Sequence, residues 1–98
     1  MRRIFQYKNM KKNEIIKIFK ALGNERRFSV VQHILKQKEL TVSQISERIN
    51  LSFKSTSRHL SVLKNANMVL SKQTNLNNFY SLNRETMVNF IKFFNVET

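Results

Sequence analysis

A chain of 98 residues with no proline and a single glycine, Gly23, has almost none of the residues that ordinarily break helices and strands. Its boundaries have to come from helix caps and from changes in the spacing of apolar residues. Twelve asparagines crowd the stretches where the chain must turn. Asparagine tolerates the left-handed backbone region better than other non-glycine residues, so it substitutes for the missing glycines. The length fits one domain spanning residues 1–98, and a 41% apolar share is enough for a modest core.

Read this way, the chain divides into seven elements. Ile15, Ile16, Phe19 and Leu22 recur at helical steps from Asn13 onward, and Gly23 stops that helix. Asn24 caps a second helix with Phe28, Val31, Ile34 and Leu35 on one stripe, beside which His33 is expected to pack. Glu39–Val42 reads as a short extended segment. Thr41 or Ser43 then caps a short helix of Ile45 and Ile49, and Gln44 three residues after Thr41 fits a capping box. Ser52 opens a further helix with Leu60 and Leu63 inward, closed by Asn65 and Asn67, the latter expected to be left-handed. Met68–Gln73 and Phe79–Leu82 read as antiparallel strands around a turn at 74–78, with Phe79 and Tyr80 alternating between core and surface. Asn83 caps a last helix, 83–96, carrying Met87, Phe90, Ile91 and Phe94 on one stripe, widened by Val88 and Phe93.

Charge narrows the function. Lysine and arginine total 18 against 6 acids, a net +12, which points to an anionic partner such as nucleic acid or, less often, a membrane surface. Half of that net charge falls in residues 1–20, so residues 1–12 read as a basic arm or a solvated helix start. With no cysteine, no aspartate and two histidines, disulfides, thiolate metal sites and the usual hydrolytic constellations are not available. No enzyme activity, metal or other cofactor is expected. Without an apolar run long enough to span a bilayer or serve as a signal peptide, the expectation is a soluble, cytoplasmic protein.

Two helices joined by a tight polar turn, spanning 43–66, and a basic hairpin at 68–82 form the layout of a winged helix-turn-helix. A helix of about 10–12 Å diameter fits the DNA major groove with its first turns toward base edges. Those turns offer Phe53, Lys54, Ser57 and Arg58. The preceding helix presents its N-terminus near Thr41, Ser43 and Gln44 to a phosphate. The hairpin tip offers Lys72, Gln73, Asn75, Asn77 and Asn78 to the minor groove or its flanking phosphates.

The stretches Ala21–Phe28, Leu40–Ile45 and Leu51–Leu63, with Ser57-Arg58-His59-Leu60 the most specific part, resemble the ArsR-type winged-helix repressors. Asn67–Val69 and Phe79–Leu82 continue the resemblance, which covers roughly residues 15–83. It implies a mainly α fold in the order α-α-β-α-α-β-β-α, with N- and C-terminal helices forming a homodimer interface. It also implies a repressor that binds double-stranded DNA at a pseudo-palindromic operator and releases it on binding a small effector. Base and phosphate contacts would fall to Phe53, Lys54, Ser57 and Arg58, a scaffold role to Arg27, and packing beneath the helix to His59. The chain departs from the family's metal sensors: Thr41 and Ser43 stand near the cysteines of thiolate sensors, and the last helix has no histidine. Metal sensing is therefore not expected, and the effector is either different or absent.

A dimer also follows from the residues alone. Met87, Phe90, Ile91, Phe93 and Phe94, with Ile15, Ile16, Ile18 and Phe19, make more apolar surface than a domain of this size shelters, and such patches mark interfaces. The alternatives are that both helices pack only on the core, and that the fold binds RNA or a protein partner without reading an operator.

Overall fold

The computed structural model describes residues 10–94, so most of the basic arm, residues 1–9, and residues 95–98 lie outside the described residues. Five helices and three strands follow in the expected order: α1 (Lys12–Leu22), α2 (Glu25–Gln37), β1 (Glu39–Thr41), α3 (Val42–Ile49), α4 (Phe53–Asn65), β2 (Val69–Thr74), β3 (Asn77–Leu82) and α5 (Arg84–Phe94).

Caps place most of the boundaries. Asn24 Oδ1 accepts from the Arg27 amide at 3.1 Å to open α2, and Ser52 Oγ accepts from the Ser55 amide at 3.1 Å to open α4. Asn83 Oδ1 takes the Thr86 amide at 3.2 Å at the start of α5. At α3 the capping box is complete and belongs to Thr41, not Ser43. Among the described residues four have positive φ, and three of them are asparagines, Asn50, Asn67 and Asn75, each ending or joining an element. The fourth is Lys38, at φ 76°. Gly23 ends α1 at an ordinary φ of −76°, so its conformational freedom is not what stops the helix. A side chain there would instead press on the Phe19 carbonyl oxygen, 3.2 Å from where its Cβ would stand.

The hairpin is tighter than its asparagine content suggests. The expected turn at 74–78 shrinks to Asn75 and Leu76, because Thr74 and Asn77 pair as the last rung of β2 and β3. Asn75 has positive φ and Leu76 does not, the sign pattern of a type II′ turn, which matches the twist of the flanking strands. β3 is the central strand of the sheet, order β1-β3-β2, with Leu40 opposite Tyr80 and Leu70 opposite Ser81. Tyr80 packs against the core, and Phe79, like it, is half-buried.

The core gathers Ile18, Val30, Ile34, Ile45, Leu60, Leu63, Met68 and Val69, all essentially without exposure. Two expected stripes shift. Phe28 and Leu35 were placed inward on α2, but both stand more than half exposed, on the shoulder of a stripe made by Val30, Val31 and Ile34. On α1, Ile15 and Ile18 were expected in an exposed patch, and instead they are buried with Ala21 at three-residue spacing. Ile16 and Phe19 remain outside.

One side chain ties three helices together. Arg27 Nε donates to the Ala21 carbonyl at the end of α1 at 2.7 Å, and its Nη1 lies 3.3 Å from His59 Nδ1 on α4. Arg26 next to it donates to the Ile49 carbonyl at the end of α3 at 3.3 Å. Burial, then the charges of Arg27 and Arg26, hold the His59 imidazole below its ordinary pKa. A lowered folded pKa means the unfolded chain binds the proton more readily. The stability contributed by neutral His59 is complete above about pH 6.5 and is lost as pH falls below it. Between pH 7 and pH 5 the wild-type chain should therefore lose more stability than His59→Gln. Urea unfolding of both proteins across that range checks this, and parallel pH profiles would refute the assignment.

Candidate nucleic-acid interface

The recognition geometry begins with a sharp backbone reversal. Asn50, left-handed at φ 54°, ends α3, and the Leu51 amide returns to the Ser46 carbonyl at 3.0 Å. Two residues later Ser52 caps α4, so α3 and α4 meet across a short turn. Thr56, Leu60 and Leu63 are the buried ridge of α4, recurring at four- and three-residue steps. That ridge fixes which side of α4 looks outward. Lys54, Arg58 and Ser61 are exposed and Ser57 is half-buried, all on the opposite face. Phe53 stands at the helix start with 59% of its surface open. Lys54, Ser57 and Arg58 thus share one outward side, whereas Phe53, seven residues before Leu60, stands above the ridge at the open first turn.

Lys54, Arg58 and Lys72 have no ion-pair or hydrogen-bond partner among the described residues. Their charge is left to solvent or to an anion. The Thr56 hydroxyl is the odd group on the inward side, fully buried and without a hydrogen-bond partner.

At the start of α3 the structure narrows the expected phosphate site. The Thr41 hydroxyl accepts the Gln44 amide at 3.1 Å, and Gln44 Oε1 accepts the Thr41 amide at 2.9 Å. The capping box uses both of those amides, so neither is available to a phosphate. Ser43 and Gln44 are exposed there, and Thr41 is half-buried.

The wing stands beyond the far end of α4. Lys64 Nζ donates to Ser71 Oγ at 2.6 Å, tying the C-terminal turn of the helix to β2. Lys72, Gln73, Asn75 and Asn77 are exposed along the hairpin, while Asn78 is half-buried. The tip itself is Leu76, 98% exposed. Sequence reasoning passed over it by reading the turn through its polar residues. The signal was present, because a two-residue turn centred on Asn75 puts the next side chain at the apex.

A third feature lies on the opposite helices. Phe19 of α1 meets Phe90 and Phe94 of α5 edge to face, with ring centroids 5.3 and 5.9 Å apart. Phe90 and Phe94 are 5.4 Å apart, and Phe93 extends the cluster from Phe94 at 5.1 Å. Phe19, Phe93 and Phe94 are each about half exposed. Of the other residues expected in an interface, Ile16 and Ile91 are exposed, Met87 and Phe90 pack partly against the core, and Ile15 is enclosed by its own domain. Among the described residues no three His, Cys, Asp or Glu side chains gather in a way that would hold a metal ion. No helix among them is long and apolar enough to cross a membrane.

Known proteins match this chain over the same elements. The family model for bacterial regulatory proteins of the arsR family matches residues 24–71, from the cap of α2 into β2. The transcriptional repressor SdpR of Bacillus subtilis is 32% identical over 81 residues, covering 76% of this chain and 89% of its own length. The transcriptional activator HlyU of Vibrio cholerae is 33% identical over 75 residues, 74% of this chain and 68% of its own. A solved structure of HlyU superposes with a TM-score of 0.69 at 30% identity, covering 84% of this chain and 94% of that one. The homodimeric winged helix-turn-helix domain Mb0332 of Mycobacterium bovis has the same fold at 21% identity, with a TM-score of 0.68 over 87% of this chain and 83% of its own. Sequence and backbone agree across one continuous stretch that contains the whole helix-turn-helix, and this chain belongs to the arsR family of bacterial regulatory proteins, the winged-helix transcriptional regulators that bind DNA.

Proposed function

We propose that this chain is a homodimeric repressor that reads a pseudo-palindromic operator with α4 and grips the flanking backbone with its wing. The observation that carries the reading is the outward face of α4. Two cations and a short hydroxyl stand together there, each a group that recognises base edges or phosphates. Arg58 is suited to a bidentate contact with guanine, Ser57 to a hydrogen bond with any base, and Phe53 to a thymine methyl group. Lys54, Ser43 and Lys72 are placed for phosphates, which position the protein without reading sequence.

The dimer rests on the apolar surface that α5 leaves uncovered. Its buried residues are Thr86 and Asn89, and the Asn89 Oδ1 atom has no hydrogen-bond partner. Met87 and Phe90 pack partly against the core, while Phe93 and Phe94 are about half exposed. A helix that leaves two phenylalanines this open is built to be covered by something else. The exposed Phe19 and Ile16 of α1 continue the same surface. A two-fold copy of this surface pairs two α4 helices, whose half-sites then lie about one helical turn, roughly 34 Å, apart.

Three outcomes test the reading, with the operator first isolated by selecting genomic fragments on the purified protein at stated salt. Arg58→Ala should cost about 1–3 kcal/mol of specific binding and relax base preference at one position in each half-site. A gel-shift series in which this variant kept full specificity would remove Arg58 from base readout. Lys72→Ala should weaken binding to all sequences alike and reduce the salt slope by about one unit. An unchanged slope takes the wing off the DNA. Phe94→Glu should sediment as a monomer and bind the operator weakly, whereas a dimer of wild-type mass would place the interface elsewhere.

A further inference from the structure

A second surface of α5 lies beside the phenylalanine cluster. Between α2, the end of β3 and α5 runs an open groove of about 510 Å³. Leu35, Leu82, Met87 and Ile91 give it an apolar floor and walls, and Lys38 and Arg84 stand at its edge. Its size falls in the ordinary range for small-molecule sites, which are mostly apolar with a few placed polar groups.

The two cations are each held at a cost. Lys38 is the one non-asparagine residue with positive φ among the described residues, at φ 76° and ψ −49°. That conformation approaches the rare, strained γ-turn, and strain of this kind collects at ligand sites. Arg84 is the first residue of α5, where the helix dipole disfavours a positive charge. Neither charged group has an ion-pair or hydrogen-bond partner among the described residues. An uncompensated pair of cations beside a water-exposed apolar trough is complementary to one kind of molecule, an anionic headgroup on a hydrocarbon chain.

We propose that this groove binds a medium-chain alkyl carboxylate, with the carboxylate between Lys38 and Arg84 and the chain along Leu35, Leu82, Met87 and Ile91. No lining residue belongs to α4 or to the phenylalanine cluster, so the proposal does not depend on how DNA is read, and it assigns Met87 and Ile91 to the ligand instead of to a partner copy. The ligand lies against Ser81 and Leu82 of β3 and against Lys38, the residue before β1.

Isothermal titration of the full chain with octanoate, 1-octanol and butyrate tests the proposal. Octanoate should bind saturably with one site per protomer. The uncharged alcohol and the short acid should each bind at least about tenfold more weakly, the first for want of charge and the second for want of buried methylene groups. The double variant Lys38→Gly/Arg84→Gln removes both cations and relieves the positive φ. It should lose the preference for octanoate over octanol while keeping the octanol affinity. Phe94→Glu, which alters the neighbouring aromatic cluster and none of the groove's lining, should bind octanoate as the wild type does. Equal affinity for octanoate and octanol in the wild type, or no saturable octanoate site, overturns the proposal. So does a double variant that retains the octanoate preference. A groove closed to octanoate in the wild type, together with monomers produced by Leu35→Glu, would identify a second copy of the chain as its occupant.

Discussion

Everything outward-facing in this protein depends on the seating of α4 by Thr56, Leu60 and Leu63. Two leucines with no exposure at all fix both the rotation and the depth of the helix, and burying each is worth roughly 1.5–3 kcal/mol. With that ridge inward, Lys54, Ser57, Arg58 and Ser61 have no choice but to face solvent. The partnerless Thr56 hydroxyl at the centre of the ridge is a local cost, since an unmet buried hydrogen-bonding group costs roughly 1–3 kcal/mol. The helix is held in spite of it by the apolar contacts on either side and by two polar contacts. Arg27 reaches His59 at its middle, and Lys64 reaches Ser71 at its last turn.

Much of this architecture is readable in the sequence because the chain has so few ways to turn. Where glycine and proline are missing, a cap or an asparagine has to mark each boundary, and Asn24, Ser52, Asn67 and Asn83 do so where expected. The α4 face was legible for a related reason: its apolar residues are few and keep strict helical spacing, so the polar side is defined by exclusion. The same reasoning fails on α2 and α5, where apolar residues surround the helix. On α2, Phe28 and Leu35 fit a stripe with Val31 and Ile34 as well as Val30 does, and periodicity alone does not choose between them. The choice is made by the neighbours: the helix turns toward α3, α4 and β3 through Val30 and Ile34. The wing misled in the opposite sense. Three asparagines within five residues suggested a broad loop, whereas one positive-φ asparagine completes the reversal and leaves Asn77 free to pair.

The charge distribution gains meaning from what the cations are already doing. Arg26 and Arg27 are structural, their guanidinium groups placed on the ends of α1 and α3 and beside His59. Arginine suits that role, since a planar fork with five donors can hold two acceptors at once while staying charged. Lys64 is committed to the wing. The net charge of +12 is therefore not a uniform coat. Part of it is internal bracing, while Lys54 and Arg58 on α4 and Lys72 on the wing remain uncommitted among the described residues.

The same accounting explains why α5 is the least ordinary helix of the domain. In an isolated fold its inward face should be its most apolar, yet Thr86 and Asn89 lie buried there beside half-buried Met87 and Phe90, while Ile91, Phe93 and Phe94 are about half exposed. Turning it to bury the aromatic residues would break the Asn83 cap and the bond from the Asn83 amide to the Met68 carbonyl, 2.9 Å, which fix where the helix leaves the sheet. The exit is thus set by β3, and rotation about the helix axis cannot follow hydrophobicity. What results is one helix with two uncovered apolar sides. The side shared with Phe19 is continuous, aromatic and uncharged at its centre, which is the character of a protein interface core. The side shared with Leu35 is a trough flanked by two cations, which a second apolar helix would bury without a counter-charge. Burying unpaired cations carries a heavy penalty, so the two sides call for different occupants.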